Sequence, residues 1–418
     1  MTRLRKRKPI YYGWYIAIVL AITETVSFGV LYYAFSVFIT PMEAELGWTR
    51  GEITGAFSLS LLITGFIGVP VGHWLDRRGA RLLMTAGSIG ATLAILLWSQ
   101  VNTLPEFLVI MALKGTCGAA ILYEPAFAVI ATWFDNRRGT AMTVVTFVAG
   151  FASTIFIPLS DALLVAYGWR QALFILGIVL GVISIPLHAL VLRRKPADLG
   201  LQPDGVSAPK SPVETPRVSL RAVFQSRFFW QLTLAFALVS VSVSAVRLHV
   251  IPLLISVNVH PSSAAVFSGA IGVMQVVGRT IFAPVERRFS SRAMVVGVFV
   301  MLTLSLPVLL LGNAPALIMA FVALFGMGIG MHTLARPLII ADTYGAAYYG
   351  RISSTLGIFV RLAGTVSPFA AGVIFDVFGA YDWMLILATV FGFAALILIV
   401  LLPQQRRYGA ALSAAESD

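Results

Sequence analysis

Residues 51–101 read GEITGAFSLSLLITGFIGVPVGHWLDRRGARLLMTAGSIGATLAILLWSQV. Two apolar runs, near 51–75 and 82–101, flank the short basic loop GHWLDRRGAR (Gly72–Arg81). A helix that crosses a bilayer needs about 20 mostly apolar residues, and both runs are apolar on all sides, without the polar face of a soluble surface helix. The same unit recurs along the chain. Further runs lie near 11–40, 105–132, 139–167 and 170–192, then near 228–257, 263–284, 293–312, 315–341, 351–378 and 383–403. Turn residues separate them, among them Gly47, Gly79, Asn102 to Pro105, Gly168, Pro261, Asn313 to Pro315 and Gly379 to Asp382.

The composition agrees. Of 418 residues 58% are apolar and 11% charged, where a soluble globular protein has about 25% charged residues. A soluble fold of this composition would expose far more apolar surface than one core can bury. Cys117, the single cysteine, lies inside an apolar run, so neither a disulfide framework nor a thiolate metal site is expected. The opening RLRKRKP precedes a run too long for a signal peptide and is read as leading into a retained first span. The expected fold class is an all-α polytopic membrane protein with twelve transmembrane helices.

The basic residues set an orientation. With the N-terminus inside, 23 of the 30 Lys and Arg residues fall in cytoplasmic segments, two (Arg50 and Arg170) in outer loops and five within spans. Loops rich in Lys and Arg stay on the cytoplasmic side, so both termini are expected there, with the chain in a cell membrane, the bacterial cytoplasmic (inner) membrane in particular. The net charge of +12 is spread over short clusters between spans and does not form one patch, which argues against a nucleic-acid partner.

The stretch RRKPADLGLQPDGVSAPKSPVETPR, from Arg193, is rich in Pro, Ser and charge and is expected to be a flexible linker. It divides the chain into a six-helix unit over 1–192, a linker over 193–227, a second six-helix unit over 228–403 and a cytoplasmic tail over 404–418. A faint repeat relates the halves at an offset of 210–211 residues, pairing Pro41 with Pro252, Asp76 with Glu286, Gly115 with Gly326 and Gly139 with Gly350. This predicts two pseudo-symmetric bundles.

The loop Gly72–Arg81 matches G-x-x-x-D-R-x-G-x-R, and on this motif the chain resembles the major facilitator superfamily. The resemblance implies that Gly72, Asp76, Arg77, Gly79 and Arg81 form a loop that latches the two halves on the cytoplasmic face and releases them as the cavity changes side. Gly72 is expected to allow close helix approach; Glu286, Arg287 and Arg288 are the degenerate second copy. Within the superfamily the chain is most similar to the monocarboxylate transporters, and more distantly to the oxalate/formate antiporters. YYGWYI (Tyr11–Ile16), WFDNRRGTA (Trp133–Ala141) and MQVVGRTIF (Met274–Phe282) carry this. The last resembles a helix with D-x-x-x-R whose Arg binds the substrate carboxylate, which implies that role for Arg279. The acid four residues earlier is here Gln275, the Lys of the fifth-span motif is Asn136, and Tyr33 stands where many members carry a lysine. These departures keep a carboxylate-binding arginine and remove parts of the family's proton-coupling scheme.

A basic side chain at mid-bilayer costs about 3 kcal/mol, so those inside the spans (Lys114, Arg247, Arg279, Arg336 and Arg361) need water, partners or a ligand. The acids deep within spans are Glu24, Glu124 and Asp161, all in the first half, and the second half has no clear mid-span acid, so it should present an electropositive wall. Arg279, with Gln275 one turn earlier, is the first candidate to hold a carboxylate, since a guanidinium binds it bidentately. Arg361, flanked by Gly357 and Gly364, is the second, and its alternative is an ion pair with Glu24 or Glu124. Glu124 and Arg336, beside Pro125 and Pro337, are expected to face each other as a structural pair or a gate. Glu24, sharing a face with Phe28, Tyr32 and Phe35, is either a proton carrier or salt-bridged. Lys114 either pairs with an acid or binds anion, and His332 is a helix contact or a gating group. Tyr33 and Tyr123 are packing residues or touch substrate. Arg247 and His249 are expected near the outer end of span seven, snorkelling or lining a vestibule.

No phosphate loop, metal-ligand cluster or nucleophile–base constellation is present, so no cofactor, metal or enzymatic activity is expected. The expected function is secondary active transport of a small carboxylate, lactate- or pyruvate-like, by alternating access, with protons or a counter-anion as the driving partner and the lipid bilayer as solvent. A dicarboxylate or oxalate-type antiporter using Arg279 and Arg361 together is the nearest alternative, and a non-transporting membrane sensor or scaffold the alternative from another class.

Overall fold

The computed structural model describes residues 10–205, 220–344 and 349–403, and every regular element in them is a helix. In hydrocarbon each backbone N–H and C=O must be satisfied within its own segment, which leaves helices as the spanning element for such runs. We number the crossings α1 (Tyr12–Leu46), α2 (Arg50–Arg78), α3 (Ala80–Trp98), α4 (Leu104–Trp133), α5 (138–167), α6 (169–191), α7 (Arg227–Ser256), α8 (Pro261–Glu286), α9 (Ser291–Leu311), α10 (Pro315–Tyr344), α11 (Tyr349–Phe378) and α12 (Asp382–Val400). Among the described residues eleven helices are long and apolar enough to cross a membrane, not twelve. The difference is Arg138–Val191, 54 residues long, which turns back at Gly168 (φ 76, ψ 165) and so supplies two crossings. A left-handed φ is open to glycine at little cost. Helices α2 and α4 each begin with a reciprocal capping box, Thr49 with Glu52 and Thr103 with Glu106.

The packing repeats itself. In the first bundle α2 and α3 pack on α4, α3 on α6, and α1 on α5; in the second, α8 and α9 pack on α10, α9 on α12, and α7 on α11. Contacts between the bundles obey the same two-fold relation, with α2 against α11, α5 against α8, and the last part of α1 against α7. The glycine repeat lies at the matching packing sites. A Cβ on Gly115 would sit 2.3 Å from the carbonyl oxygen of Ser60 on α2, and one on Gly326 would sit 2.8 Å from that of Ile271 on α8.

We call the end carrying Arg77, Arg137, Arg193 and Arg287 the basic face and the opposite end the far face. Toward the far face the bundles touch: a Cβ on Gly55 would meet the Phe369 ring at 3.0 Å, and one on Gly372 would meet Thr54 Oγ1 at 2.4 Å. Toward the basic face, a Cβ at positions 65, 68 or 72 of α2 would meet nothing within 4 Å. Gly72 therefore makes no close helix approach in this arrangement, contrary to the sequence expectation. The linker is also less free than its composition suggests. The Asp204 carboxylate accepts the backbone N–H groups of Asp135, Asn136 and Arg137, so the linker docks on the α4–α5 loop. Its residues 206–219 and the tail over 404–418 lie outside the described residues.

Because both glycines sit against backbone, Gly115→Val and Gly326→Val should each destabilise the detergent-solubilised protein, by about 1–3 kcal/mol or more. Gly139→Ala, with nothing within 4 Å, should leave its melting temperature unchanged. Thermal denaturation followed by size-exclusion chromatography measures both.

Candidate functional site

Helix α1 contains a single π-helical turn at Gly29–Tyr33, closed by the Ala34 N–H on the Gly29 carbonyl at 2.9 Å. Gly29 lies against the Phe156 ring of α5, where a Cβ would come within 2.2 Å. A π-turn inserts a residue and rotates the helix beyond it. Here Tyr32, Tyr33 and Ser36 line a small cavity between the bundles. The turn also leaves the Leu31 carbonyl to the buried Lys114 of α4, whose Nζ donates to it at 2.9 Å and lies 4.3 Å over the Phe57 ring. Lys114 thus has a carbonyl and an aromatic face, and it braces the wall of the cavity.

The other walls are Ser153 and Ile157 of α5, Arg247, Leu248 and Val250 of α7, and Ser268, Ile271 and Gln275 of α8. Arg247 donates to the Tyr33 hydroxyl, with its guanidinium carbon 4.8 Å over the Tyr33 ring and 5.5 Å over the Tyr32 ring. This corrects the expectation of a snorkelling residue: Arg247 lies about two and a half turns inside the end of α7 and points between the bundles.

Arg279 reaches across the bundle interface and donates to the Thr146 carbonyl at 3.0 Å, beside Gly150. Its Nε is buried without a hydrogen-bond partner, and Arg247, Tyr33 and Tyr123 lie within its electrostatic reach. Gln275, 3% exposed, faces the cavity one turn earlier. Arg361 is open to solvent, 60% exposed, with Nη1 3.6 Å from the Glu124 carboxylate, itself 61% exposed. Glu124 projects from a break in α4: Leu122 is extended (φ −89, ψ −167) ahead of Pro125, and the helix restarts at Tyr123. The ion pair described for Glu124 is thus with Arg361, for which Glu124 is one of the two acids expected as alternative partners. Arg336 is half-buried in α10 near His332.

Glu24 is fully buried, and neither carboxylate oxygen has a hydrogen-bond partner, so no salt bridge holds it. Its electrostatic neighbours are Glu124 and Tyr123, and the Tyr123 ring stands 4.5 Å from that of Phe28 and stacks on Phe127. His332 packs between Phe236 and Phe299 inside the second bundle, away from the cavity.

The sequence model of the Major Facilitator Superfamily matches residues 20–366. The chain belongs to the major facilitator superfamily. It is 24% identical to an uncharacterised transporter of this type, YcxA of Bacillus subtilis, over 88% of this chain and 89% of the relative. It is also 24% identical to monocarboxylate transporter 13 of Bos taurus (94% and 89%) and to monocarboxylate transporter 12 of Homo sapiens (96% and 82%). In fold it is similar to the crystal structure of a bacterial homologue of the human lysosomal transporter Spinster, with a TM-score of 0.69 at 15% identity, covering 97% of this chain and 98% of that one.

In this superfamily member the loop Gly72–Arg81 ties down its own bundle. Gly79 has φ 76, and a Cβ there would lie 2.6 Å from the Arg194 side chain. Arg194 donates to the Arg77 carbonyl at 2.8 Å, and Arg81 to the Ala189 carbonyl at 2.6 Å. The Asp76 side chain lies outside the described residues.

The latch between bundles sits at the far face and escaped the sequence reading. Asp376 of α11 accepts the backbone N–H groups of Arg50 (3.0 Å) and Gly51 (2.7 Å), the unpaired donors that begin α2. The buried Arg50 guanidinium bonds Glu43 (2.8 Å) and the Tyr381 hydroxyl (2.9 Å) and lies 3.7 Å over the Phe375 ring. His249, expected in a vestibule, is fully buried here, with Nδ1 2.8 Å from the Tyr381 hydroxyl and Nε2 2.9 Å from the Pro368 carbonyl. Burial holds the Tyr381 hydroxyl above the usual phenol range, so it keeps its proton for His249 while accepting from Arg50. Nothing local in the sequence points to Asp376 as the partner of these donors.

Removing the cap tests the latch. Asp376→Ala deletes two charge-assisted bonds worth about 1.5–3 kcal/mol each. Spin labels at Glu52 and Trp383, on opposite bundles in a Cys117→Ser background, should then show a longer distance population that the parent lacks.

Proposed function

We propose that the chain is a secondary active transporter of small organic anions, monocarboxylates above all, which works by alternating access with its basic face toward the cytoplasm. The observation that carries this reading is the distribution of charge at the bundle interface. Arg247, Arg279 and Arg361 come from the second bundle, and the one ion pair described among them is the solvent-open contact of Arg361 with Glu124. Charges in a low-dielectric wall act over longer range than in water, so this interface attracts an anion and repels lipophilic cations.

The kinship with monocarboxylate transporters supports the substrate class. Arg361 already has a carboxylate beside it, which favours one further carboxylate over the two that a dicarboxylate antiporter would take. The contacts between the bundles at the far face, with open space beside α2 toward the basic face, support alternating access. Positive-inside bias makes that open side cytoplasmic. Glu24 and Glu124 are the carboxyl groups placed to carry a proton if the anion travels with one.

Uptake into proteoliposomes tests the reading. Pyruvate or lactate should accumulate under an inward proton gradient, or exchange against internal anion, and tetraphenylphosphonium should not move. Arg279→Gln should raise KM for the carboxylate about three- to tenfold by removing one nearby charge. Transport confined to organic cations would contradict the proposal.

A further inference from the structure

Arg247 presents an unresolved account of charge. Among the described residues no carboxylate forms an ion pair with it. Its polar partner is a phenol, the Tyr33 hydroxyl from the opposite bundle, and its guanidinium face is covered by the Tyr32 and Tyr33 rings. A phenol and two π-faces satisfy a donor and some of the field, but they are weaker partners than a carboxylate held by two parallel N–H bonds. Removing a cation from water without a counter-charge is costly, so a site that keeps one in this state is short of an anion.

The cavity beside it supplies the rest of a carboxylate site. Ser153 is 2% exposed, lines the cavity, and its hydroxyl has no hydrogen-bond partner. It sits there because α8 carries glycine at 272, where a Cβ would come within 2.3 Å of that hydroxyl. Gln275, 3% exposed, and Ser268, 4% exposed, add buried polar groups from the second bundle. Ile157, Leu248 and Ile271 are among the cavity's apolar lining.

We infer that the substrate carboxylate comes to rest on Arg247, displacing the Tyr33 hydroxyl from the guanidinium, with Ser153 and Gln275 donating to the carboxylate oxygens. The inference rests on the organic-anion reading above and names the residue that holds the anion. Tyr33 is then a stand-in for the substrate: its hydroxyl satisfies Arg247 in the empty transporter and turns away when the anion arrives. Arg279 draws the anion inward and stays on the Thr146 carbonyl. Because Tyr33 and Ser153 belong to one bundle and Arg247 and Gln275 to the other, a bound carboxylate joins both walls, which is where a transporter must sense its load.

The sign of one substitution separates this from a packing role. Tyr33→Phe keeps the ring and removes the competitor, so binding should become about fivefold tighter, the weight of one ordinary hydrogen bond of about 1 kcal/mol. Arg247→Lys keeps the charge and loses the two-pronged geometry, so binding should weaken about tenfold. Arg247→Gln should abolish binding without lowering the melting temperature of the ligand-free protein, since it removes a half-buried cation that has no ion pair among the described residues. The measurement is equilibrium binding of radiolabelled pyruvate to purified protein, repeated with lactate and acetate as competitors. If the wild type binds none of the three, the organic-anion reading fails and this inference with it. If the wild type binds and Arg247→Gln binds equally well, or Tyr33→Phe binds more weakly than the parent, Arg247 is not the resting place and the broader reading stands.

Discussion

A guanidinium in the bilayer interior must find water, an acid or a ligand, and the arrangement of this protein follows from how its arginines meet that demand. A lone basic group at mid-membrane costs about 3 kcal/mol, and several together approach the stability of a whole domain. Arg361 meets the demand with Glu124. Arg50, at the far-face end of α2 and outside the mid-membrane zone, is held by Glu43, Tyr381 and the Phe375 ring. Lys114 uses a carbonyl freed by the π-turn of α1. Arg247 and Arg279 make do with a phenol and a carbonyl at the interface between bundles. Those last two positions are where an anion brings the largest gain, and they lie where the two halves must move past each other.

Contacts between the bundles are exchanged by the same two-fold relation that relates the bundles themselves, α2 with α11 and α5 with α8. A pseudo-symmetric interface has two related ways to close, one toward each face, and closure at one end opens the other. In this structure the far face is closed by Asp376 on the start of α2 and by the buried Arg50–Tyr381–His249 chain. Toward the basic face, α2 has open space beside Gly65, Gly68 and Gly72.

Much of this is written locally in the sequence. The twelve crossings follow from run length, and the glycine repeat follows from close helix approach, so Gly115 and Gly326 are found at equivalent packing sites. The electropositive second half is legible because acids are scarce there. Pairings are not local. Whether Glu124 meets Arg336 or Arg361 depends on rotation about two helices, and a break at Leu122 sets one of them. Distance from a helix end does not say which way a side chain points, so Arg247 lines the cavity between the bundles where a snorkelling position is expected. The π-turn at Gly29–Tyr33 changes the helical phase of α1, so periodicity alone could not assign Tyr32 and Tyr33 to the cavity. Asp376 needs a partner more than 300 residues away to become a cap.

The central claim is that the interface between the bundles is an anion site. The most direct test is the melting temperature of the solubilised wild-type protein, titrated with the sodium salts of mono- and dicarboxylates and with organic cation chlorides at matched ionic strength. A ligand that binds only the folded state stabilises it by about 2.7 kcal/mol at one hundred times its Kd. Saturable stabilisation by small monocarboxylates, with none from the cations, is the predicted result. Stabilisation by cations alone would contradict the account.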